Sequence, residues 1–310
     1  MNQSNKKRRI LFIINPVAGN GKTIELLPII KEKMNSASES IDYTIYVSKN
    51  IGDISRVVNE YYKEGYEEFV AVGGDGSLSE LINGFDFPCD KIPSIGILPM
   101  GTGNDFVKNT SEKKNFDLIF NSILQNKKMV IDVGVVNNFN FINVCSFGID
   151  GPIIKDTDRY KKILPGQSSY LFSTLKAGIS FKPNQVKVVA DGKEYSGHMI
   201  LIAVGNGKYF GGGMNVCPEA LLDDGLFEVC LVSDVSKLKF IKEISKIYSG
   251  RLKELKEVIY IKAKNIEIEV QGQPYFINAD GNLMGTTPAR ISIIEKGVFF
   301  YSSDQKEIAN

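Results

Sequence analysis

Histidine is nearly absent from this chain of 310 residues, and paired cysteine is missing. It has a single histidine, His198, and four scattered cysteines, Cys89, Cys145, Cys217 and Cys230, with no C-x-x-C pair. A zinc site and a Ser-His-Asp hydrolase are both set aside on that count, and His198 reads as structural. Reduced thiols in a cytoplasmic protein are the economical reading. No stretch holds 18 consecutive apolar residues, which excludes a transmembrane helix. Net charge is only +1, so no global field draws the chain toward nucleic acid. Lys6-Lys7-Arg8-Arg9 before Ile10–Ile14 has the outline of a signal peptide, but that apolar stretch ends after five residues at Asn15-Pro16. It reads as a first strand behind a basic arm.

The composition is that of an ordinary globular protein, 43% hydrophobic and 24% charged, and the length suits two domains. Residues 8–132 alternate apolar strands, near Ile10, Tyr43, Phe69 and Ile95, with helical patterns at Glu25–Met34, Ile54–Tyr62 and Phe116–Leu124. That order predicts a Rossmann-like α/β domain with a parallel sheet covered on both faces. From Val133 to about residue 297 the texture changes to short strands bounded by Asn, Gly or Asp. The runs are Phe141–Cys145, Val186–Ala190, Met199–Val204, Leu226–Leu231, Val258–Ala263, Ile266–Val270 and Ala289–Ile294. Such spacing predicts an antiparallel β-sandwich, interrupted by helices near Ser169–Ala177 and Ser236–Tyr248.

Three strand ends in the first domain carry Gly-rich polar loops. Asn15-Pro16-Val17-Ala18-Gly19-Asn20-Gly21-Lys22 follows Ile10–Ile14. Its glycines fit neither the P-loop nor the dinucleotide fingerprint. Gly73-Gly74-Asp75-Gly76-Ser77 follows Phe69–Val72 and precedes a helix-like Leu78–Asn83. Pro99-Met100-Gly101-Thr102-Gly103-Asn104-Asp105-Phe106 follows Ile95–Leu98. Glycine at a strand end adds no buried surface, but it lets a ligand approach bare N–H groups at a helix N-terminus, as a phosphate requires. Asp75 in such a nest calls for a cation or a hydroxyl proton. The plainer alternative is a tight turn with Asp75 as its cap. Ligands bind at the carboxyl ends of strands in open α/β sheets, so three such loops favour one shared site.

These motifs, N-P-x-x-G, then G-G-D-G-S-x-x-E from Gly73 to Glu80, then P-x-G-T-x-N-D-F from Pro99 to Phe106, resemble the diacylglycerol kinase catalytic-domain family. Gly211-Gly212-Gly213, Cys217-Pro218, Ala220 and Asp224-Gly225-Leu226 resemble a fourth element of the same family, and the likeness spans about residues 8–290. The resemblance implies an N-terminal nucleotide domain of the NAD-kinase and diacylglycerol-kinase type and a C-terminal β-sandwich domain. It places the active site in the cleft between them and packs Val298–Asn310 back on the first domain. It implies ATP and Mg²⁺ as cofactors and a hydroxyl of a diacylglycerol-like or sphingoid lipid as acceptor.

By the same resemblance the nucleotide is held by Asn15, Pro16, Gly19, Gly21, Lys22, Ser48, Gly73, Gly74, Asp75, Gly76, Ser77, Glu80, Thr102 and Asn104. Ser77 stands where the family usually has threonine, and Ser48 reads equally well as a turn residue. A structural magnesium is implied at Asp224 with the main-chain oxygens of Leu221 and Leu226; without the family this is a simple turn. The main departure lies in Asn278-Ala279-Asp280-Gly281-Asn282, where the family reads D-G-E and uses the glutamate as proton acceptor. Asn282 has no useful basicity, so Asp280 becomes the expected base, with Asp75 and Asp105 as rivals.

Three functions stay open: a lipid kinase, an NAD-kinase-like phosphotransferase, and a catalytically impaired nucleotide- or lipid-binding module. Residues 234–264 carry nine Lys/Arg against four Asp/Glu. Leu238, Ile241, Ile244 and Ile247 recur there among Lys237, Lys239, Lys242 and Lys246. This predicts either a peripheral membrane contact or a helix whose apolar face packs inward. Nucleic acid is not an expected partner, and the oligomeric state, a homodimer included, stays open.

Overall fold

The computed structural model describes residues 7–112, 114–154, 176–178 and 180–304. The chain divides into two compact units, Met1–Ile131 with Lys296–Asn310, and Asp132–Glu295.

In the first unit β1 (Arg8–Ile14), α1 (Leu26–Asn35), β2 (Ile41–Val47), α2 (Asp53–Lys63), β3 (Glu68–Gly73), α3 (Asp75–Ile82), β4 (Ser94–Pro99) and α4 (Phe116–Leu124) follow one another. The strands are parallel in the order β2-β1-β3-β4. They are near-continuous apolar runs because both faces are covered: Phe69 to Val72 are fully buried. Ile10, Phe12, Val70 and Val72 pack with Ile30 and Met34 of α1 and with Ile119, Phe120 and Ile123 of α4. Phe69 points the other way, onto Tyr62 of α2 and Phe85. Ile14 pairs with both Val47 and Val72, and Gly73 with Pro99, so the four carboxyl ends lie in register. The chain leaves β1 toward β2 and later returns to build β3 and β4 on the other side of β1. The topological switch point therefore lies between β1 and β3, where open α/β sheets bind their ligands.

The second unit is an antiparallel β structure. It contains β5 (Lys128–Val136), which starts in the first unit, β6 (Phe139–Phe141), β7 (Val144–Gly148), β8 (Asn184–Ala190), β9 (Lys193–Gly205), β10 (Tyr209–Phe210), β11 (Met214–Asn215) and β12 (Phe227–Ser233). After α5 (Lys237–Glu243) and α6 (Ser245–Tyr248) come β13 (Val258–Ala263), β14 (Ile266–Gln271), β15 (Phe276–Ala279), β16 (Asn282–Thr286) and β17 (Ala289–Tyr301). The long β9 pairs with β7, β8 and β12. Alternate residues feed two cores: Phe227, Val229 and Leu231 of β12 enter one, Cys230 and Val232 the other. β17 ends in the first unit, where Phe299 and Phe300 pair in parallel with Ser94 and Ile95 of β4. There Tyr301 joins the partly buried Arg8–Glu68 ion pair, donating its hydroxyl to Glu68 and accepting from Arg8 at 2.9 Å.

The sequence reading of one strand over Phe141–Cys145 is corrected. β6 stops at Phe141 and β7 starts at Val144 because the amides of Ile142, Asn143 and Val144 turn to the carboxylate of Asp280. The helix expected near Ser169–Ala177 falls almost wholly outside the described residues.

Candidate active site

The three glycine loops of the first unit come together. Asn15 leaves β1 with its amide held by Val72 O at 3.0 Å, and its side chain donates to Ser77 Oγ at 3.0 Å. Buried Thr23 donates to Asn15 O at 2.6 Å, which pins this loop from beneath. The Met100 amide donates to Gly73 O at 2.7 Å, tying the third loop to the second. Two close backbone approaches explain the glycines. A methyl group at Gly101 would stand 2.6 Å from Gly74 Cα, and one at Gly19 would stand 2.7 Å from Met100 O. Gly74 has φ −110°, so its need is space beside Gly101 and not a positive φ. At Gly76, by contrast, an added methyl would meet nothing within 4 Å. It opens to solvent in the first turn of α3, where the Ser77 amide already donates to Gly74 O at 2.9 Å and only the amides before it lack an intrahelical acceptor.

Asp75 sits at the centre of this cradle. Its Oδ1 accepts the amides of Asp105 at 2.7 Å and Phe106 at 3.2 Å. Its Oδ2 faces Gly103, where even a methyl would come within 3.0 Å. Burial first, and then the Asp105 carboxylate, push the Asp75 carboxyl above its ordinary range. Asp105 is itself buried and ion-paired with Lys108. Asn104, buried at φ 47°, donates to Gly101 O at 2.7 Å, while its own Oδ1 has no hydrogen-bond partner. A buried orphan acceptor beside a glycine-lined gap fits a ligand that brings donors or ordered water.

The remaining candidates are placed less centrally. Pro16, Gly19, Gly21 and Lys22 lie in the first loop, whose residues 19–21 are all left-handed, and Lys22 is exposed. Ser48 is buried just past β2, with its amide on Ile14 O at 2.9 Å. Thr102 is exposed at the tip of the third loop. Glu80 turns away, accepting the amides of Gly52 at 3.0 Å and Ile54 at 3.3 Å, so its carboxylate caps α2.

In the second unit the Asp280 carboxylate is engaged by main-chain amides. Its Oδ1 accepts Asn143 and Val144 amides, both at 3.0 Å, and its Oδ2 accepts Ile142 at 2.9 Å. It fastens the β6–β7 junction to the β15–β16 hairpin, a structural role beside the one expected of it as the base. Asn282 opens β16, paired with Ala279.

The Asp224 turn carries oxygen donors but is already neutralised. Asp224 Oδ2 accepts Lys262 at 2.7 Å and Oδ1 accepts the Leu226 amide at 3.2 Å. Buried Asp132 braces the same turn, accepting the Gly225 amide at 2.8 Å and donating its own amide to Leu222 O at 2.7 Å. Among the described residues no three side chains converge as metal ligands. A divalent ion there would rest on Asp224 and the main-chain oxygens of Leu221 and Leu226, and would displace Lys262.

One feature of this unit escaped the sequence reading. An apolar pocket, partly open to solvent, is walled by Ile149, Ile153, Phe210, Met214, Phe240 and Ile247, with Asp150 on its lining. Asp150 Oδ2 accepts from Ser146 and from Asn278 Nδ2 at 3.0 Å, while its Oδ1 has no hydrogen-bond partner. Burial raises its carboxyl above the ordinary range, against the pull of those donors. The signal was present in Phe147-Gly148-Ile149-Asp150, a carboxylate directly after a buried strand with no lysine beside it.

A parallel α/β unit with a glycine cradle at its switch point, followed by an antiparallel β unit, narrows the class. Residues 9–136 match the diacylglycerol kinase catalytic domain, and residues 143–298 match the YegS C-terminal NAD kinase beta sandwich-like domain. The chain belongs to the diacylglycerol kinase and YegS lipid kinase family. It is 31% identical to lipid kinase YegS of Escherichia coli K12 over 213 residues, 68% of this chain and 71% of that one. It is 26% identical to a diacylglycerol kinase of Bacillus subtilis over 288 residues, 91% and 92% of the two chains. The crystal structure of a diacylglycerol kinase from Bacillus anthracis superimposes with a TM-score of 0.79 at 26% identity, covering 96% of this chain and 98% of that one.

Proposed function

We propose that this protein transfers the γ-phosphoryl group of ATP to a hydroxyl of a diacylglycerol-like or sphingoid lipid in the cytoplasm. The observation that carries the reading is Asp75, a carboxylate held at one oxygen by two backbone amides in a cradle of three glycine loops. The cradle suits the nucleotide's phosphates: first-turn amides of α3 receive them, Asn15 and Ser77 order the rim, and Asn104 Oδ1 accepts a donor from the ligand. Asp224 with the main-chain oxygens of Leu221 and Leu226 would hold one ion in place of Lys262, and Mg²⁺ would also enter with ATP as part of the donor. Bound there, Mg²⁺ supplies charge neutralisation.

Asp75 is the proposed proton acceptor. A carboxyl held above its ordinary range by burial and by the Asp105 carboxylate is a better base than an ordinary one, and Oδ2 keeps an open side at Gly103. Asp105 is committed to Lys108 and Asp280 to three amides. With Asp75 in the base's role, the asparagine at position 282 lowers turnover without abolishing it, and positioning and charge neutralisation carry the rest of the rate. The apolar pocket of the second unit takes the lipid's hydrocarbon, and Asp150 Oδ1 accepts a hydroxyl or amide proton near its polar end.

Incubation with labelled ATP and either a mixed lipid extract or NAD tests the reading. Label should enter the lipid fraction and not NAD. Label in NAD alone would favour the dinucleotide reaction, and ATP binding with no transfer to either would favour an impaired binding module.

A further inference from the structure

We infer that α5 and α6 form a docking face for an anionic lipid surface, an inference that rests on the lipid kinase reading and adds to it the means of reaching the substrate. The sequence pattern places Leu238, Ile241, Ile244 and Ile247 on one stripe; the structure splits them. Phe240, Ile244 and Ile247 line the pocket, and Phe240 packs so tightly on Gly178 that a methyl there would lie 2.0 Å from the ring. Leu238 and Ile241 point outward, 83% and 45% exposed, and Tyr248 is exposed at the end of α6. The segment is therefore apolar on two opposite sides. A helix in water hides one apolar face and shows a polar one, so a second apolar side is unmatched by solvent.

The charges around it select the occupant. Lys239 is paired with Glu257 at 2.8 Å, and Lys246 with Glu243 at 3.1 Å and Glu254 at 3.0 Å. Those two lysines hold the element in place. Lys237 and Lys242 are exposed and have no ion-pair partner among the described residues. They flank Leu238 and Ile241, which puts two ammonium groups beside two protruding aliphatic side chains. That combination suits the headgroup boundary of an acidic bilayer: the aliphatics enter the acyl region and the ammonium groups meet lipid phosphates. The inner side of the same segment walls the pocket that contains Asp150. Docking by the outer side thus brings the pocket to the membrane surface, where its hydrocarbon ligand resides.

Sedimentation of the full chain with vesicles tests this, using phosphatidylcholine alone and phosphatidylcholine with phosphatidylglycerol, at low and at raised salt. Wild type should bind the acidic vesicles and be released by salt. Lys237→Glu with Lys242→Glu, and separately Leu238→Ser with Ile241→Ser, should each weaken binding at least about fivefold. Leu238→Trp should strengthen it, which keeps the test informative if a loss variant folds poorly. Turnover on detergent-dispersed lipid should be unchanged in all of them. Wild-type sedimentation in both loss variants would overturn the docking face, as would a change of mass in light scattering, which would assign the face to a second copy of the chain. Absence of lipid phosphorylation in detergent by wild type, with salt-sensitive vesicle binding intact, would sink the kinase reading while leaving this surface standing.

Discussion

Asp75 and Asp150 are both carboxylates short of water, and their surroundings give them different work. Asp75 is held at one oxygen by two amides and open at the other. Asp150 is fully enclosed and faces hydrocarbon. Because burial raises the Asp150 pKa in the folded protein, the native state binds that proton more tightly than the unfolded chain does. Its stabilising contribution is present below the ordinary carboxylate value of about 3.9 and is lost as pH rises through the raised native value. Asp150→Asn should therefore flatten that slope, raising Tm at pH 8 relative to wild type more than at about pH 3.5, below the unfolded carboxylate value. Equal shifts at both pH values in a melting series would mean that this carboxyl does not titrate abnormally. At this scale the sequence was legible where a motif fixes a backbone shape and opaque where a side chain chooses its partner. Asp280 and Glu80 each look like site carboxylates in one dimension. In the fold each is claimed by amides, a contact no spacing rule reveals.

The N-terminus of α3 and the loops beside it were the most readable elements, because glycine after a buried strand has few other uses. Two substitutions separate their roles. Gly76→Val adds a side chain where nothing stands within 4 Å, so the fold should be unaffected while ATP affinity falls more than about tenfold by blocking the helix N-terminus. Gly101→Ala puts a methyl 2.6 Å from Gly74 Cα, backbone that cannot step aside, and should cost about 1–3 kcal/mol of stability as well as ATP affinity. Calorimetric titration with ATP and thermal melts check both, and an undiminished ATP affinity in Gly76→Val would remove this helix end from the site. The α5–α6 segment was harder to read. Residues at strict three-residue spacing fall back by about 60° at each step, so Leu238 and Ile247 stand on opposite sides of a straight helix. The sequence shows an apolar stripe where the fold makes two faces.

For the whole molecule, the alternation of strands and helices before Ile131 and the short bounded strands after it were enough to foresee a parallel α/β domain and a β-sandwich-like one. What no pattern could supply was the pairing of β9 with three strands, which depends on contacts far apart in sequence, while the return of β17 to the first unit was legible only through the family resemblance. The central claim is that Asp75 takes the proton of a lipid hydroxyl while the glycine cradle holds ATP. The most direct measurement is turnover and ATP affinity of Asp75→Asn on detergent-dispersed lipid, read beside wild type. The amides of Asp105 and Phe106 retain an oxygen acceptor in that variant, so the cradle should survive. Turnover should fall by about 10²- to 10⁴-fold with ATP affinity within about twofold of wild type. Wild-type turnover in the folded variant would contradict the account and move the chemistry to another group.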